Sequence, residues 1–217
     1  MLGFEYLDAM RTLLDGHRPP PERVDALHLG GAGCTLPRAL ATERPRSRQV
    51  VAEVDGALVE LARSAFGLAA VPGMKLRVTD GAVALSSTRD ASVDLVVRDA
   101  FAGDTVPREL TTASFTEDVA RALRPDGLYL ANVADRPPLG LARAEVATAL
   151  SVFPHVALVA EPGVLRGRRY ANLVLAASNS PLPLDTWVRT VRGGAAPMRL
   201  VAGADLRTFA AAARPIT

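Results

Sequence analysis

The chain has 217 residues, a formal net charge of +2, and a hydrophobic share of 49%, which suits one α/β domain with its own core and leaves no compositional break for a second large one. No apolar run reaches the roughly 18 residues of a membrane span, and Glu5 and Asp8 interrupt the apolar N-terminus, against a signal peptide. The single Cys34 excludes an internal disulfide framework and suits a reducing cytoplasm, where a buried, inert thiol is its expected state.

Leu2, Leu7, Met10, Leu13 and Leu14 fall near helical spacing, so a short amphipathic helix is expected over residues 2–15, ended by Pro19-Pro20-Pro21. Residues 27–29 read as the first core strand. A helix follows over 35–43, with Pro37 tolerated in its first turn and Pro45 past its end. Residues 49–53 form the second strand. The helix expected over 56–66 places Leu58, Leu61, Ala62 and Ala65 on one face. Residues 75–79 alternate as a third strand, followed by Asp80-Gly81 and a short helix. The run 93–98 is apolar enough for a sheet interior. A loop from 99 to 107, a helix over 111–123 and the turn Arg124-Pro125-Asp126-Gly127 lead to a fifth strand over 128–133. A helix over 139–153 precedes two strands, 156–160 and 172–176, joined by an arginine-rich loop without a helix.

Alternating β/α units that end in a hairpin predict a doubly wound, mostly parallel, seven-stranded sheet with one antiparallel strand. We divide the chain into a helix and linker (1–23), a Rossmann-like domain (24–180) and a helical extension of it (181–217), with helices over 184–191 and 205–213. Arg166-Gly167-Arg168-Arg169 is the one tight basic cluster along the chain. Elsewhere acids interleave with the arginines, so no nucleic-acid partner is expected.

Candidate site residues stand at the ends of successive strands. The first strand runs into Gly30-Gly31-Ala32-Gly33, a turn that lets a ligand approach the backbone, or a tight turn without one. Leu36 stands where a dinucleotide fingerprint needs its third glycine, which disfavours a hydride-transfer dehydrogenase. The second strand ends at Glu53, beside Val54. A carboxylate there can accept both ribose hydroxyl protons, and a solvated strand-end acid is the alternative. Asp55 reads as a helix N-cap. Asp80-Gly81 ends the third strand, where the acid either accepts from an adenine amine or caps the next helix. Asp99 ends the fourth strand, aimed at the reacting end of a ligand or simply opening a turn. His17, His28 and His155 are scattered without metal-ligand spacing, so no metal is expected.

In this order, the glycines and acids resemble the class I S-adenosylmethionine-dependent methyltransferase fold, and more closely the spermidine synthase (polyamine aminopropyltransferase) family, over about residues 26–178. Gly30-Gly31-Ala32-Gly33 is similar to that family's glycine motif and Val51-Ala52-Glu53-Val54-Asp55 to its ribose-binding strand end. Thr79-Asp80-Gly81 is similar to its adenine-side motif, and Asp99-Ala100-Phe101-Ala102-Gly103-Asp104 lies where the family has its catalytic acidic loop. The stretch from Ser114-Phe115 to Asp126-Gly127 resembles the helix and turn that follow. The resemblance implies cofactor contacts from Gly30, Gly31, Gly33, Glu53, Val54, Asp80 and Gly81, with Asp99 as the base near an attacking amine. Asp104 and Tyr170 are candidate acceptor contacts. The cofactor implied is S-adenosylmethionine or its decarboxylated form, the partner is a small amine, and a homodimer is left open.

The chain departs from the family at two places. Gly33 stands where the family's motif carries an Asp that binds the amine of the decarboxylated cofactor, and the acidic loop has Asp104 displaced. The family's N-terminal β-domain is not expected, since only about 25 residues precede the first core strand. Three functions stay open: aminopropyl transfer to an amine, S-adenosylmethionine-dependent methyl transfer, and a non-catalytic nucleoside-binding or interaction role.

Overall fold

The computed structural model describes residues 4–31, 33–68, 71–194 and 197–217; Leu2 and Ala32 lie outside them. The elements follow in the order α1 (Glu5–His17), β1 (Ala26–Gly30), α2 (Thr35–Glu43), β2 (Gln49–Glu53), α3 (Gly56–Ala65), β3 (Met74–Val78), α4 (Gly81–Ser86) and β4 (Val93–Asp99). Then come α5 (Ala113–Ala122), β5 (Leu123–Asp135), α6 (Gly140–Val152), β6 (His155–Ala160), α7 (Pro162–Leu165), β7 (Ala171–Ser178), α8 (Leu184–Arg192), β8 (Arg199–Ala202) and α9 (Gly203–Ala210). The described strands form one sheet in the order β3-β2-β1-β4-β5-β7-β6-β8. The first five are parallel, and β7 lies antiparallel between β5 and β6. This is the doubly wound, mostly parallel sheet that the sequence predicts.

Both faces of the central strands are apolar because helices cover both. Leu27 and Leu29 of β1, Val96 of β4 and Tyr129 and Ala131 of β5 point into one core, which α5, α6 and α9 complete. Their alternates Ala26, Leu95, Val97, Leu128 and Leu130 point into the other, under α1, α2 and α8. Trp187 of α8 is fully buried there, and its indole N–H donates to the Leu13 carbonyl at 2.8 Å. Gly16 lets α8 come this close to α1: a Cβ on it would sit 2.8 Å from the Trp187 ring.

Four expectations need correction. The sheet has an eighth strand, β8, pairing antiparallel with β6. At four residues, with none fully buried, it leaves no alternation to read. On α3 the buried face is Val59 and Ala62, packed on Cys34, Val51 and Leu68, while Leu58 and Leu61 are exposed. The Asp55 side chain accepts from the Leu58 N–H at 3.0 Å, which fixes the first turn with Leu58 outward. The turn at 124–127 is absorbed into β5 as an irregularity, the register with β4 stepping from Val93↔Leu123 to Leu95↔Leu128. A one-turn helix, α7, also sits between β6 and β7.

Candidate functional site

From β1 the chain steps outward through β2 to β3, then returns to lay β4 against the other side of β1. A doubly wound sheet opens its ligand crevice at such a reversal, beyond the carboxyl ends of the strands. Here those ends are Gly30 and Asp99, paired in register. Gly30 has φ +80°, and a Cβ on it would lie 2.6 Å from the Asp99 carbonyl and the Ala100 Cα, so no side chain fits. Gly31 follows at φ +78°, and a Cβ there would stand 3.6 Å from Asp99 Oδ2. A cavity of about 190 Å³ opens over this turn, lined by Gly30, Gly31, Gly33, Asp99, His28 and Cys34 and closed by Phe4 and Tyr6. Burial pushes the Cys34 thiol up to about 11, with Glu53 adding to it, which disfavours the thiolate. His28 is held neutral by burial, its pKa down to about 4, and meets Gln49 Oε1 at 2.8 Å.

Adjacent strand ends bring the other acids to the same edge. Glu53 accepts the Asp55 backbone N–H on Oε1 at 3.1 Å, and Oε2 makes no hydrogen bond among the described residues. Its backbone carbonyl takes the Thr79 N–H at 2.9 Å, which fixes β3 beside it. Asp80 follows, with Oδ1 capping α4 through the Val83 N–H at 3.0 Å and Oδ2 uncommitted. Gly81 starts that helix over Leu29 and Leu110. Val54 is 72% exposed, an apolar side chain standing free between Glu53 and Asp55. From β3 to β4 the row spans three strand spacings, about 14–15 Å, the length of a nucleoside with a short tail.

Asp99 is the most constrained of the acids. The Tyr6 hydroxyl donates to Oδ2 at 3.0 Å and the Asn132 amide to Oδ1 at 2.9 Å. Burial raises its pKa above the ordinary carboxylate range, while Asn132, Tyr6 and the neighbouring Arg98 charge pull the other way. Burial, then the Asp99 charge, push the Tyr6 phenol up. Neither partner was found from sequence. Tyr6 lies 93 residues from Asp99, on a helix whose pattern reports only its apolar face. Asn132 did leave a signal: an amide inside the apolar run of β5, 2% exposed, with its Oδ1 buried and unpartnered.

Asp104 and Tyr170 stand apart from this constellation. Both are exposed and meet Arg136, Asp104 through an ion pair at 3.2 Å and Tyr170 with its ring 5.7 Å from the guanidinium. Among the described residues no group of three His, Cys, Asp or Glu side chains could hold a metal ion, and no helix is long and apolar enough to cross a membrane.

No family model matches the chain. A polyamine aminopropyltransferase of Vibrio vulnificus is 28% identical over 131 residues, a match spanning 58% of this chain but only 43% of that protein. The crystal structure of a probable spermidine synthase from Corynebacterium glutamicum superposes with a TM-score of 0.88 at 36% identity, over 98% of this chain and 79% of the other. The chain belongs to the spermidine synthase family. Its sheet is that of the class I methyltransferase fold, which this family member shares with human methyltransferase-like protein 13 in complex with SAH. That likeness is one of fold alone, at TM-score 0.68 and 23% identity over 88% of this chain and 94% of the other. Within the spermidine synthase frame, the glycine turn, Glu53, Asp80 and Asp99 occupy one edge of the sheet, whereas Asp104 and Tyr170 gather on Arg136.

Proposed function

We propose that this spermidine synthase family member binds S-adenosylmethionine or its decarboxylated form in the crevice over Gly30 and alkylates an amine by aminopropyl transfer. The observation that carries the reading is Asp99: a part-buried carboxylate held from two sides, 3.6 Å from where a Gly31 side chain would begin. The glycines leave room for the cofactor's tail. The free oxygen of Glu53 suits the ribose hydroxyls, Val54 offers an apolar face to the base, and Asp80 Oδ2 faces its amine. The sulfonium supplies a leaving thioether. An alkylammonium has a pKa near about 10, like lysine, and cannot attack until deprotonated. Asp99 holds that cation and takes its proton, and the freed nitrogen lone pair then forms the new N–C bond as the C–S bond breaks and its electron pair leaves with the thioether. Calorimetric titration with S-adenosylmethionine, its decarboxylated form, methylthioadenosine and NAD tests the reading. Tighter binding of NAD than of methylthioadenosine would overturn it.

Glu53→Ala is expected to weaken nucleoside binding about ten- to a hundredfold, the scale of charge-assisted hydrogen bonds to two hydroxyls. Glu53→Gln keeps the contact to the Asp55 N–H and separates charge from shape. Unchanged affinity in both variants would remove Glu53 from the site.

Gly33 favours a second reading, methyl transfer from intact S-adenosylmethionine. The family's acid at this place would repel that cofactor's carboxylate, and glycine does not. The wild type is therefore expected to discriminate between the two cofactors by less than about tenfold, or 1.4 kcal/mol. A Cβ on Gly33 meets nothing within 4 Å, so Gly33→Asp has room to fold. The variant is expected to shift preference toward the decarboxylated form. Parallel titrations of both ligands check this, and a strong wild-type preference for the decarboxylated form would assign amine recognition to another acid.

A further inference from the structure

The end of the sheet opposite Asp99 collects arginines that are far apart in the sequence. Arg23 precedes β1, Arg48 precedes β2, Arg89 lies between α4 and β4, and Arg124 sits near the start of β5; Arg77 stands further along β3, in register with Ala52, and lines one of the same cavities. They line two cavities, of about 450 and 250 Å³, which share Asp25, Arg48, Arg89 and Ser92. The carboxylates nearby are already engaged. Asp25 takes Arg23 at 2.6 Å and the Arg48 backbone N–H at 3.0 Å. Asp90 is paired with Arg121 at 2.7 Å, and Asp94 with Arg124 at 2.7 Å. Arg48, Arg77 and Arg89 make no ion pair and donate no side-chain hydrogen bond among the described residues. Three guanidinium charges thus stand unbalanced around two joined cavities, in a chain whose formal net charge is only +2.

We propose that this end of the sheet binds a linear oligophosphate, either a free inorganic chain or the polyphosphate tail of a nucleotide. A guanidinium is a planar fork of donors that matches phosphate oxygens two at a time. One phosphate group can engage only one or two such forks, whereas a chain of two or three can reach all three arginines across the shared wall. Neither cavity is lined by an aromatic side chain, so bases would find no stacking platform, which disfavours single-stranded nucleic acid. The site is separate from the nucleoside crevice. The five residues of β1 set about 16 Å between the crevice and the end of the sheet that holds Arg48 and Arg89, with Arg77 between them on β3. Being independent of the reaction proposed above, it stands whether or not the crevice takes S-adenosylmethionine.

The test is calorimetric titration of the full chain at low salt with orthophosphate, pyrophosphate, tripolyphosphate, ATP and a ten-nucleotide single-stranded DNA. An Arg48→Ala/Arg89→Ala variant is compared with a charge-matched Arg166→Ala/Arg168→Ala control. All four arginines are at least partly exposed, and thermal melts confirm that both variants fold. Tripolyphosphate is expected to bind the wild type more tightly than orthophosphate, to lose at least about tenfold in affinity in the first variant, and to change less than about twofold in the control. ATP no tighter than tripolyphosphate identifies the free chain as the ligand. ATP tighter by tenfold, with the same loss in the arginine variant and none in Glu53→Ala, identifies the nucleotide. Equal weakening in variant and control reduces the effect to diffuse charge and overturns the proposal. So does absence of oligophosphate binding, or DNA that binds more tightly than any oligophosphate.

Discussion

Asp99→Asn is expected to leave nucleoside affinity within a fewfold and to lower turnover with the amine acceptor by about a hundredfold or more, the scale of a lost general base. The substitution is nearly isosteric. Oδ1 can still accept from the Asn132 amide, and the new amide can donate to the Tyr6 hydroxyl, so the crevice keeps its shape. What is lost is a group that can take a proton. The pH profile adds a second expected result. The proposed base works only when ionised, and burial raises the Asp99 pKa, so the acid limb of turnover is expected to lie above the ordinary carboxylate range. The Tyr6 hydrogen bond favours the charged form. Tyr6→Phe removes it, raises the Asp99 pKa further, and should move the acid limb to higher pH while leaving nucleoside affinity unchanged. Titrations paired with turnover measured across pH 5–10 check both. Normal turnover in the Asn variant would mean that the proton leaves by another route.

In the parallel half of the sheet, β1, β2 and β4 were legible because each is a short, largely apolar run closed by glycine or an acid, and β3 because its residues alternate. Residues 49–53, for example, are read from sequence as they stand in β2. The glycine turn and the acids at the strand ends were legible for the same reason, since each is adjacent in sequence to the strand that positions it. Contacts that close over long separations were not. Tyr6 reaches Asp99 from a helix that precedes the whole sheet, and nothing local to residue 6 reports it. The five arginines around the two joined cavities come from five separate connections or strands and never form a run. On α3 the periodicity allowed two overlapping stripes that share Ala62. The cap at Asp55 chose the one with fewer large residues, against the count of apolar side chains. At Asp80 the structure shows the capping expectation, one carboxylate oxygen accepting from the Val83 N–H, while the other oxygen takes no hydrogen bond among the described residues.

Glu145→Ala is expected to cost roughly 3–5 kcal/mol of stability, the usual penalty for stranding one member of a buried ion pair. For a domain of this size that lowers Tm by roughly 6–20 °C. Arg98 and Glu145 are both buried, with Nη2 and Oε2 2.5 Å apart. Burial pushes the Glu145 carboxyl up, and the Arg98 charge opposes it. Arg98 precedes Asp99 in β4, so its side chain points to the opposite face of the sheet. There it also reaches the carbonyls of Asn132, at 3.3 Å, and Leu110, at 3.4 Å. The pair thus ties α6 to the strand that carries the Asp99 partner and to the helical turn Arg108–Leu110 that follows the 99–107 loop. Replacing both members, as Arg98→Met with Glu145→Leu, removes the stranded charge and should recover most of the lost stability. It does not restore the two carbonyl contacts. The double variant is therefore expected to unfold near the wild-type midpoint in urea yet turn over more slowly, with the Asn132 amide less firmly held against Asp99. If the double variant is as unstable as Glu145→Ala, the penalty arises from lost packing rather than from an uncompensated charge. If it is stable and turns over at the wild-type rate, the pair serves the core alone and does not position Asp99.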